Sequence, residues 1–439
     1  MSRSDKHGVS RRRFLKTAGL TAGAVAFPYI VPGSALGLDG ATAPSNRITM
    51  GFIGVGKMGK GHVGSFLGDP SVQILGICDV ERGRREAQAA RCNQVYGERC
   101  GQEGYQGCTP HADFREICAR TDLDAMLIAT PNHWHALAAI EAAKNGKDIY
   151  LEKPLARTIA EGRAIVQAVR RHGRILQVGS QQRSDRAFRS ACELVRNGRI
   201  GALKAVYVNV GGPPGEDYLA AEPTPEGLDW DMWLGPCMCR PYSATLAPPE
   251  SFDGWPEWRY YRDYAGGSMT DFGAHHFDIA QWSLGKDGWG PVRVIPPNGK
   301  DMQRLTYVYA NSLPMYHGGG HPRAAVEWVG EHGKVRVNRG QYFETEPAGL
   351  KDEVIGPNEI HLYDSPNHKD NWLEAIRTRR EPICPVETGH STAIVCHIGN
   401  IAYWLNRPLK WDPSKECFAN DLEANRLLSR AMRAPWKLT

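Results

Sequence analysis

Between residues 48 and 178 short apolar runs alternate with helix-forming segments, and this alternation limits the fold more than any other feature of the chain. The runs Ile48 to Ile53, Val72 to Ile77, Ala125 to Ala129, Ile149 to Leu151 and Ile175 to Val178 are each short enough for a strand buried on both faces. Helical segments such as Ala136 to Lys144 and Ile159 to Arg171 lie between them, the first stopped at Asn145-Gly146 and the second at Gly173. Such alternation predicts an α/β domain built on a doubly wound parallel sheet. Beyond residue 180 the rhythm changes. A helix over Arg186 to Arg196 is followed by runs at Leu203 to Val210, Val292 to Ile295, Leu305 to Tyr309, Ala324 to Val329 and Lys334 to Val337, many alternating apolar with polar residues. They predict a second, α+β domain with a large, mostly antiparallel open sheet. From about Lys369 the chain returns to helix in "NWLEAIRTRR" and "GHSTAIVCHIGNIAYWL".

The first strand runs into "GVGKMG", with Gly54, Gly56 and Gly59 in GxGxxG spacing. The first glycine allows a tight turn, the second lets the backbone approach a pyrophosphate, and the third lets the helix pack close to the sheet. Because the motif follows a strand and opens a helix, it marks a Rossmann dinucleotide site over residues 47–180, with Lys57 and Met58 inside the turn. The second strand ends at Asp79, whose carboxylate can accept both ribose hydroxyls and would repel a 2′-phosphate, so NAD is favoured. Arg82 and Arg84 follow closely and keep NADP open. Ligands collect at the carboxyl ends of strands in such a sheet, so Thr130, Pro131, Asn132 and His135 of "ATPNHWH" should border the cofactor.

The same topology brings Glu152-Lys153-Pro154 to the cleft, near the expected nicotinamide. A lysine there can hold a substrate hydroxyl or take its proton if burial lowers its pKa. In "GGSMTDFGAHHFDIAQWSLG" the residues Asp271, His275 and Asp278 fall at i, i+4 and i+7 and so share a helix face. A histidine with a carboxylate one turn away can serve as a general base steered by the acid; it can equally be a satisfied core histidine. His276 points elsewhere and reads as structural or exposed.

Taken together and in order, "GVGKMG", "ATPNHWH", "EKP" and the D-x3-H-x2-D helix resemble the Gfo/Idh/MocA family, the glucose-fructose oxidoreductase and inositol dehydrogenase relatives. The resemblance implies an N-terminal Rossmann domain and a C-terminal domain whose sheet often makes homodimers or homotetramers. It implies a catalytic set of Lys153, Asp271 and His275, with Asp271 orienting His275, and a cis peptide before Pro154. It also implies a nicotinamide cofactor, tightly bound in exported relatives.

Export is expected from the N-terminus. Residues 1–37 carry six cations against Asp5, and Ser10-Arg11-Arg12, Phe14-Leu15-Lys16, an Ala/Gly/Val-rich run and Ala35-Leu36-Gly37 resemble a twin-arginine signal with cleavage near Gly37. A linker over 38–46 would follow, and the mature protein would be periplasmic or otherwise exported through that machinery. Without those residues the formal charge of +5 falls to 47 cations against 47 anions, so nothing resembles the basic stripe that nucleic acid requires. Cys92, Cys100 and Cys108 could supply one disulfide in an oxidising compartment.

Substrate signals are coarser. Trp230, Trp233, Trp255, Trp258, Tyr260, Tyr261 and Tyr264 precede the catalytic helix, and flat aromatic faces suit a pyranose ring, although most of them suit a core equally well. Trp258 is the candidate for contact with a sugar, and Gln181 and Arg183 at the domain junction could reach substrate or cofactor. His317 and His321 in "MYHGGGHP", read as a loop, fit the surface better than the substrate mouth, and no metal-ligand set can be assembled. The expected function is an exported NAD(P)-dependent oxidoreductase acting on a sugar, cyclitol or glycoside. Two alternatives stand beside it: a redox-neutral NAD-dependent glycosidase, whose distinctive motifs are not evident, and a non-catalytic sugar-sensing protein of the same fold. Residues 181–385 would form the substrate and oligomerisation domain, and 386–439 a helix and tail packing back on the body.

Overall fold

A computed structural model describes residues 43–216 and 218–438. The expected export signal and most of the linker lie outside the described residues. Six strands form the first sheet: β1 (Ile48–Ile53), β2 (Val72–Cys78), β3 (Thr109–His111), β4 (Ala125–Ile128), β5 (Asp148–Leu151) and β6 (Leu176–Val178). Their order is β3-β2-β1-β4-β5-β6 and every pairing is parallel. Successive residues point to opposite faces. Thus Met50, Phe52, Leu127 and Tyr150 enter one apolar core, while Ile53, Met126, Ile149 and Leu151 enter the other. Burial on both faces explains why these strands read as continuous apolar runs. The exception is β3, "TPH", an edge strand whose proline and exposed side chains carry no such signature.

The second sheet has nine strands: β7 (Leu203–Val208), β8 (Arg293–Ile295), β9 (Thr306–Val308), β10 (Pro314–His317), β11 (Val326–Gly330), β12 (Lys334–Asn338), β13 (Tyr342–Glu346), β14 (Leu409–Asp412) and β15 (Cys417–Phe418). Its pairings are antiparallel except for β10 beside β7. Residues Pro314 to His317 are therefore a strand where a loop was expected. His317 does not reach a substrate mouth: its ring contacts Tyr403 Oη at 2.6 Å and Val210 O at 3.0 Å. His321, half-buried, stacks on Tyr342.

The two domains are stitched by the returning chain. The helix His368–Thr378 inserts Trp372 against Phe66 and Tyr150 of the first domain, with ring centroids 5.9 and 5.5 Å away. Val178 N then donates to Cys384 O at 3.0 Å, beside the edge of β6. The helix Val386–Leu405 divides its side chains: Val386 and Ala393 join the first-domain core, while Ile394, Val395, Ile398 and Ile401 join the core over the second sheet. Residues Ile48–Thr439 consequently form one compact unit.

Two expectations from sequence can be placed here. All eleven cysteines are free thiols, but Cys92, within the 19-residue helix Arg82–Cys100, and Cys108, beyond the following loop, are buried with their thiols hydrogen-bonded to each other, and Asn93 contacts Cys108 N and O at 2.8 and 2.9 Å. Arg183 does not line the cleft. Its guanidinium, 2% exposed, binds both oxygens of Asp278 at 2.7 and 2.9 Å and both of Asp287 at 3.0 and 2.7 Å, over the Trp282 ring. Burial alone would depress its pKa, but the two carboxylates carry it well above the ordinary value. Asp278, the last acid of the D-x3-H-x2-D pattern, is thus a structural anchor rather than a partner of His275. Removing one side of so deeply buried a pair strands the other charge, so Arg183→Met should cost about 3–5 kcal/mol, measurable as a lowered urea midpoint with unchanged slope.

Candidate functional site

The carboxyl ends of the first sheet open into a cleft of about 940 Å³ shared by both domains. At its outer end the glycine turn behaves as its spacing requires. Gly54 has φ +84°, and a Cβ there would sit 2.9 Å from the Ala129–Thr130 backbone. A Cβ on Gly59 would lie 2.0 Å from Gly54 O, so this residue packs helix on turn and does not line the cleft. Gly56 faces open space and starts the helix Lys57–Leu67 with no side-chain cap, leaving the first backbone N–H groups for an anion. Asp79 ends β2 with Oδ2 accepting from Val55 N at 2.8 Å and Oδ1 from Glu81 N at 2.9 Å. Thr130, Pro131 and Asn132 line the wall, and Thr130 Oγ1 is buried without a partner. An uncapped helix start, an open Gly56, a strand-end carboxylate and an orphan hydroxyl together fit a dinucleotide.

His135 departs from expectation. It begins the second turn of the helix Asn132–Lys144 and points inward, its ring bonded to Pro154 O at 2.8 Å and Thr130 O at 3.0 Å. It therefore holds two cofactor-bordering loops together without reaching the cleft.

The second domain roofs the adenosine end. Arg82 N donates to Gly227 O at 2.9 Å, Asp229 N to Val80 O at 3.1 Å, and Arg84 Nη2 to Pro248 O at 2.6 Å. Lys57 Nζ meets Asp253 Oδ1 at 2.8 Å. Arg84 is thereby committed to a carbonyl, and Glu81, Glu226 and Glu250 line this end beside Asp79, an acidic setting that disfavours a 2′-phosphate.

At the inner end β5 delivers Glu152 and Lys153, with the Lys153–Pro154 peptide cis. Glu152 is buried, and its Oε1 meets His62 Nε2 at 2.7 Å and Gln181 Nε2 at 3.0 Å. Burial would raise its pKa, but His62 and Lys153 hold it below the ordinary value, so it stays ionised. Lys153 Nζ donates to Asp271 Oδ1 at 2.5 Å and to Asp271 O at 3.1 Å. Arg259 Nη1 donates to the other oxygen, Oδ2, at 3.0 Å, and its guanidinium lies 5.1 Å from the Trp255 ring and 5.4 Å from Tyr260.

Asp271 consequently orients Lys153, and not His275. The stretch read as one helix is two, Ser268–Asp271 and Gly273–Leu284, so the acid and the histidine leave different segments. His275 Nδ1 is sealed without a partner, which leaves Nε2 as the nitrogen open to a substrate. Burial first, then the charges of Lys153 and Arg339, push its pKa well below the ordinary value, so the ring is neutral and has a free lone pair, although it is a weaker base than an ordinary imidazole. His276 turns away: its Nδ1 contacts Asn209 O at 2.8 Å.

Of the aromatic cluster, Trp233, Trp255, Trp258 and Tyr260 line the cleft. Trp233 also belongs, with Tyr264 and with Trp230 stacked on it at 4.7 Å, to a small core behind that wall. His62, Arg259 and Arg339 were not singled out from sequence. His62 falls one turn into the glycine-motif helix, a position that could have been noticed; the two arginines carry no local pattern.

Comparison with known sequences matches residues 48–180 to an oxidoreductase family with an NAD-binding Rossmann fold, and residues 212–438 to the C-terminal alpha/beta domain of the same family. The uncharacterized oxidoreductase YrbE of Bacillus subtilis is 32% identical over 190 residues, covering 43% of this chain and 51% of YrbE. An alpha-N-acetylgalactosaminidase of Shewanella oneidensis is 30% identical over 218 residues, covering 46% of this chain and 47% of that protein. The chain spans about half the length of the curated relatives it matches. Among solved structures, the aldose-aldose oxidoreductase from Caulobacter crescentus aligns with TM-score 0.56 at 18% identity, over 83% of this chain and 99% of that one. The WlbA dehydrogenase from Bordetella pertussis, in complex with NADH and UDP-GlcNAcA, aligns with TM-score 0.56 at 19% identity, over 83% and 99%. At these identities the likeness is one of fold. The chain belongs to the Gfo/Idh/MocA oxidoreductase family, and its N-terminal domain is that family's NAD-binding Rossmann fold.

Proposed function

We propose that this protein is an exported NAD-dependent oxidoreductase that interconverts a hydroxyl and a ketone on a sugar, cyclitol or glycoside. The observation that carries the reading is the meeting of Lys153, Asp271 and His275 in the same cleft as the glycine turn. Bound nicotinamide supplies the two-electron acceptor for the hydrogen that leaves the substrate carbon. His275 Nε2, neutral at working pH, takes the hydroxyl proton. Lys153 Nζ donates a hydrogen bond to the same oxygen and stabilises the negative charge that develops as the proton departs. Asp271 fixes the ammonium from below and Arg259 fixes Asp271. Trp255, Trp258 and Tyr260 offer aromatic surface to a pyranose. Export rests on the arginine pair of the N-terminus, and the roof over the adenosine end supports a cofactor that stays bound. Assembly into a homodimer or homotetramer through the second sheet remains part of the proposal.

A second reading is favoured by the similarity to an alpha-N-acetylgalactosaminidase. Transient oxidation acidifies the neighbouring C–H, elimination expels the aglycone as an alcohol and leaves an unsaturated ketone, water adds to that double bond, and return of the two electrons to the ketone completes a net hydrolysis. Deuterium entering the product beside the transiently oxidised carbon, with no net NADH, selects this route; stoichiometric NADH selects the dehydrogenase.

His275→Ala and Lys153→Ala should each lower kcat/KM by about 10²–10⁴-fold in steady-state assays on a turned-over sugar, while NAD still binds; near-wild-type values in both would remove the assignment. The pH profile gives an independent check. His275 is active when deprotonated and its pKa lies well below the ordinary value, so the acid limb of kcat/KM should lie below about 6.5, with no loss between neutral pH and that limb.

A further inference from the structure

The inner end of the cleft holds more positive charge than the proton chemistry uses. Lys153 and Arg259 both close on Asp271. Arg339 arrives from another direction, the turn between β12 and β13, where Gly340 (φ +72°) and Gln341 (φ +63°) reverse the chain. It lines the cleft with Phe272 and His275. Its guanidinium lies over the Phe272 ring, 5.3 Å from the centroid. The Gln182 amide, in the orientation that satisfies both its ends, donates to His275 O at 3.2 Å and accepts from Arg339 Nε at 2.9 Å. These contacts fix the plane of the guanidinium and one of its edges.

The remaining edge is uncommitted: Nη1 and Nη2 form no ion pair with a carboxylate among the described residues. Each acid of the neighbouring wall is already engaged. Asp271 is shared by Lys153 and Arg259, Glu152 is held by His62 and Gln181, and Asp185 accepts from Ala187 N at 2.8 Å as a helix cap. Arg339 is exposed as a residue, but packing of its guanidinium in the cleft lowers its pKa, and the charge of Asp271 only partly offsets this. A guanidinium so placed matches a pair of oxyanion acceptors, whereas the hydroxyls of a neutral ring would accept single hydrogen bonds from it without offsetting its charge.

We propose that the substrate bears an oxyanion, a carboxylate or a sulfate ester on the sugar, which Arg339 receives through Nη1 and Nη2 while Lys153 and His275 engage a hydroxyl of the same molecule. This rests on the carbohydrate reading above and narrows it to acidic saccharides. The aromatic wall of Trp255, Trp258 and Tyr260 takes the ring, Arg339 sets which end of it faces the mouth, and the reacting hydroxyl follows from that registration.

The test compares methyl glucoside with methyl glucuronide and methyl glucoside 6-sulfate, and the corresponding galactosides, by kcat/KM and by calorimetric binding to the NAD-loaded protein. At least one acidic series should be preferred over its neutral partner by about tenfold or more, a difference of about 1.4 kcal/mol, and the glucuronide and sulfate arms show which oxyanion is meant. R339Q should reduce that preference by about tenfold, through KM and Kd more than kcat, and R339K should restore it in part. Retained NAD affinity in R339Q, read by nucleotide fluorescence, shows that the fold is intact. Equal use of neutral and acidic sugars, or a preference that R339Q leaves unmoved, overturns the oxyanion site while the oxidoreductase reading stands. If no sugar of either series binds or reduces NAD, both fall.

Discussion

The contact between Lys153 and Asp271 carries the architecture of the site. Lys153 stands at the end of a parallel strand of the first domain and Asp271 at the end of a helical turn of the second, and their charges meet at 2.5 Å with both side chains largely withdrawn from water. An ion pair in that setting is worth having only when its geometry is good and its remaining hydrogen-bonding positions are filled. Arg259 on the far oxygen of Asp271 fills one. The pair therefore fixes where the two domains face each other across the cleft. It also divides labour: the carboxylate is spent on the lysine, so the histidine keeps no acid and remains neutral.

That division was hidden in the sequence. The spacing of Asp271 and His275 places them on one face of an ideal helix, and the inference of a steered histidine follows from that geometry alone. The break at Phe272 and the arrival of Lys153 from the other domain redirect the acid, and neither is a local property. Arg183 illustrates the same limit. Its position at the domain junction was legible, but its two carboxylate partners come from the middle of the helix Gly273–Leu284 and the loop beyond it. By contrast, the helix Ile159–Arg171 and all five expected parallel strands begin and end within a residue of their structural limits, because burial on both faces writes itself into continuous apolar runs.

The strands that escaped notice are those without such a signature. β3 contains a proline, β10 runs into three glycines, β13 and β14 mix charged and apolar residues on a sheet with one solvated face, and β15 is two residues long. The glycine turn, the strand-end carboxylate and "EKP" were legible because each is a backbone requirement expressed by a residue type. Arg339 was not, because a cation on a hairpin turn looks like any solvated surface charge until the hairpin is seen to end in the cleft.

The roof over the adenosine end has a different kind of consequence. Its tethers, Gly227, Asp229, Pro248 and Asp253, all belong to the second domain, while the glycine turn beneath belongs to the first. A nucleotide pocket assembled this way is complete only after the later half of the chain has folded and docked. Occupancy is then a report on the whole molecule, and a bound nucleotide stabilises both domains together by mass action rather than the Rossmann half alone.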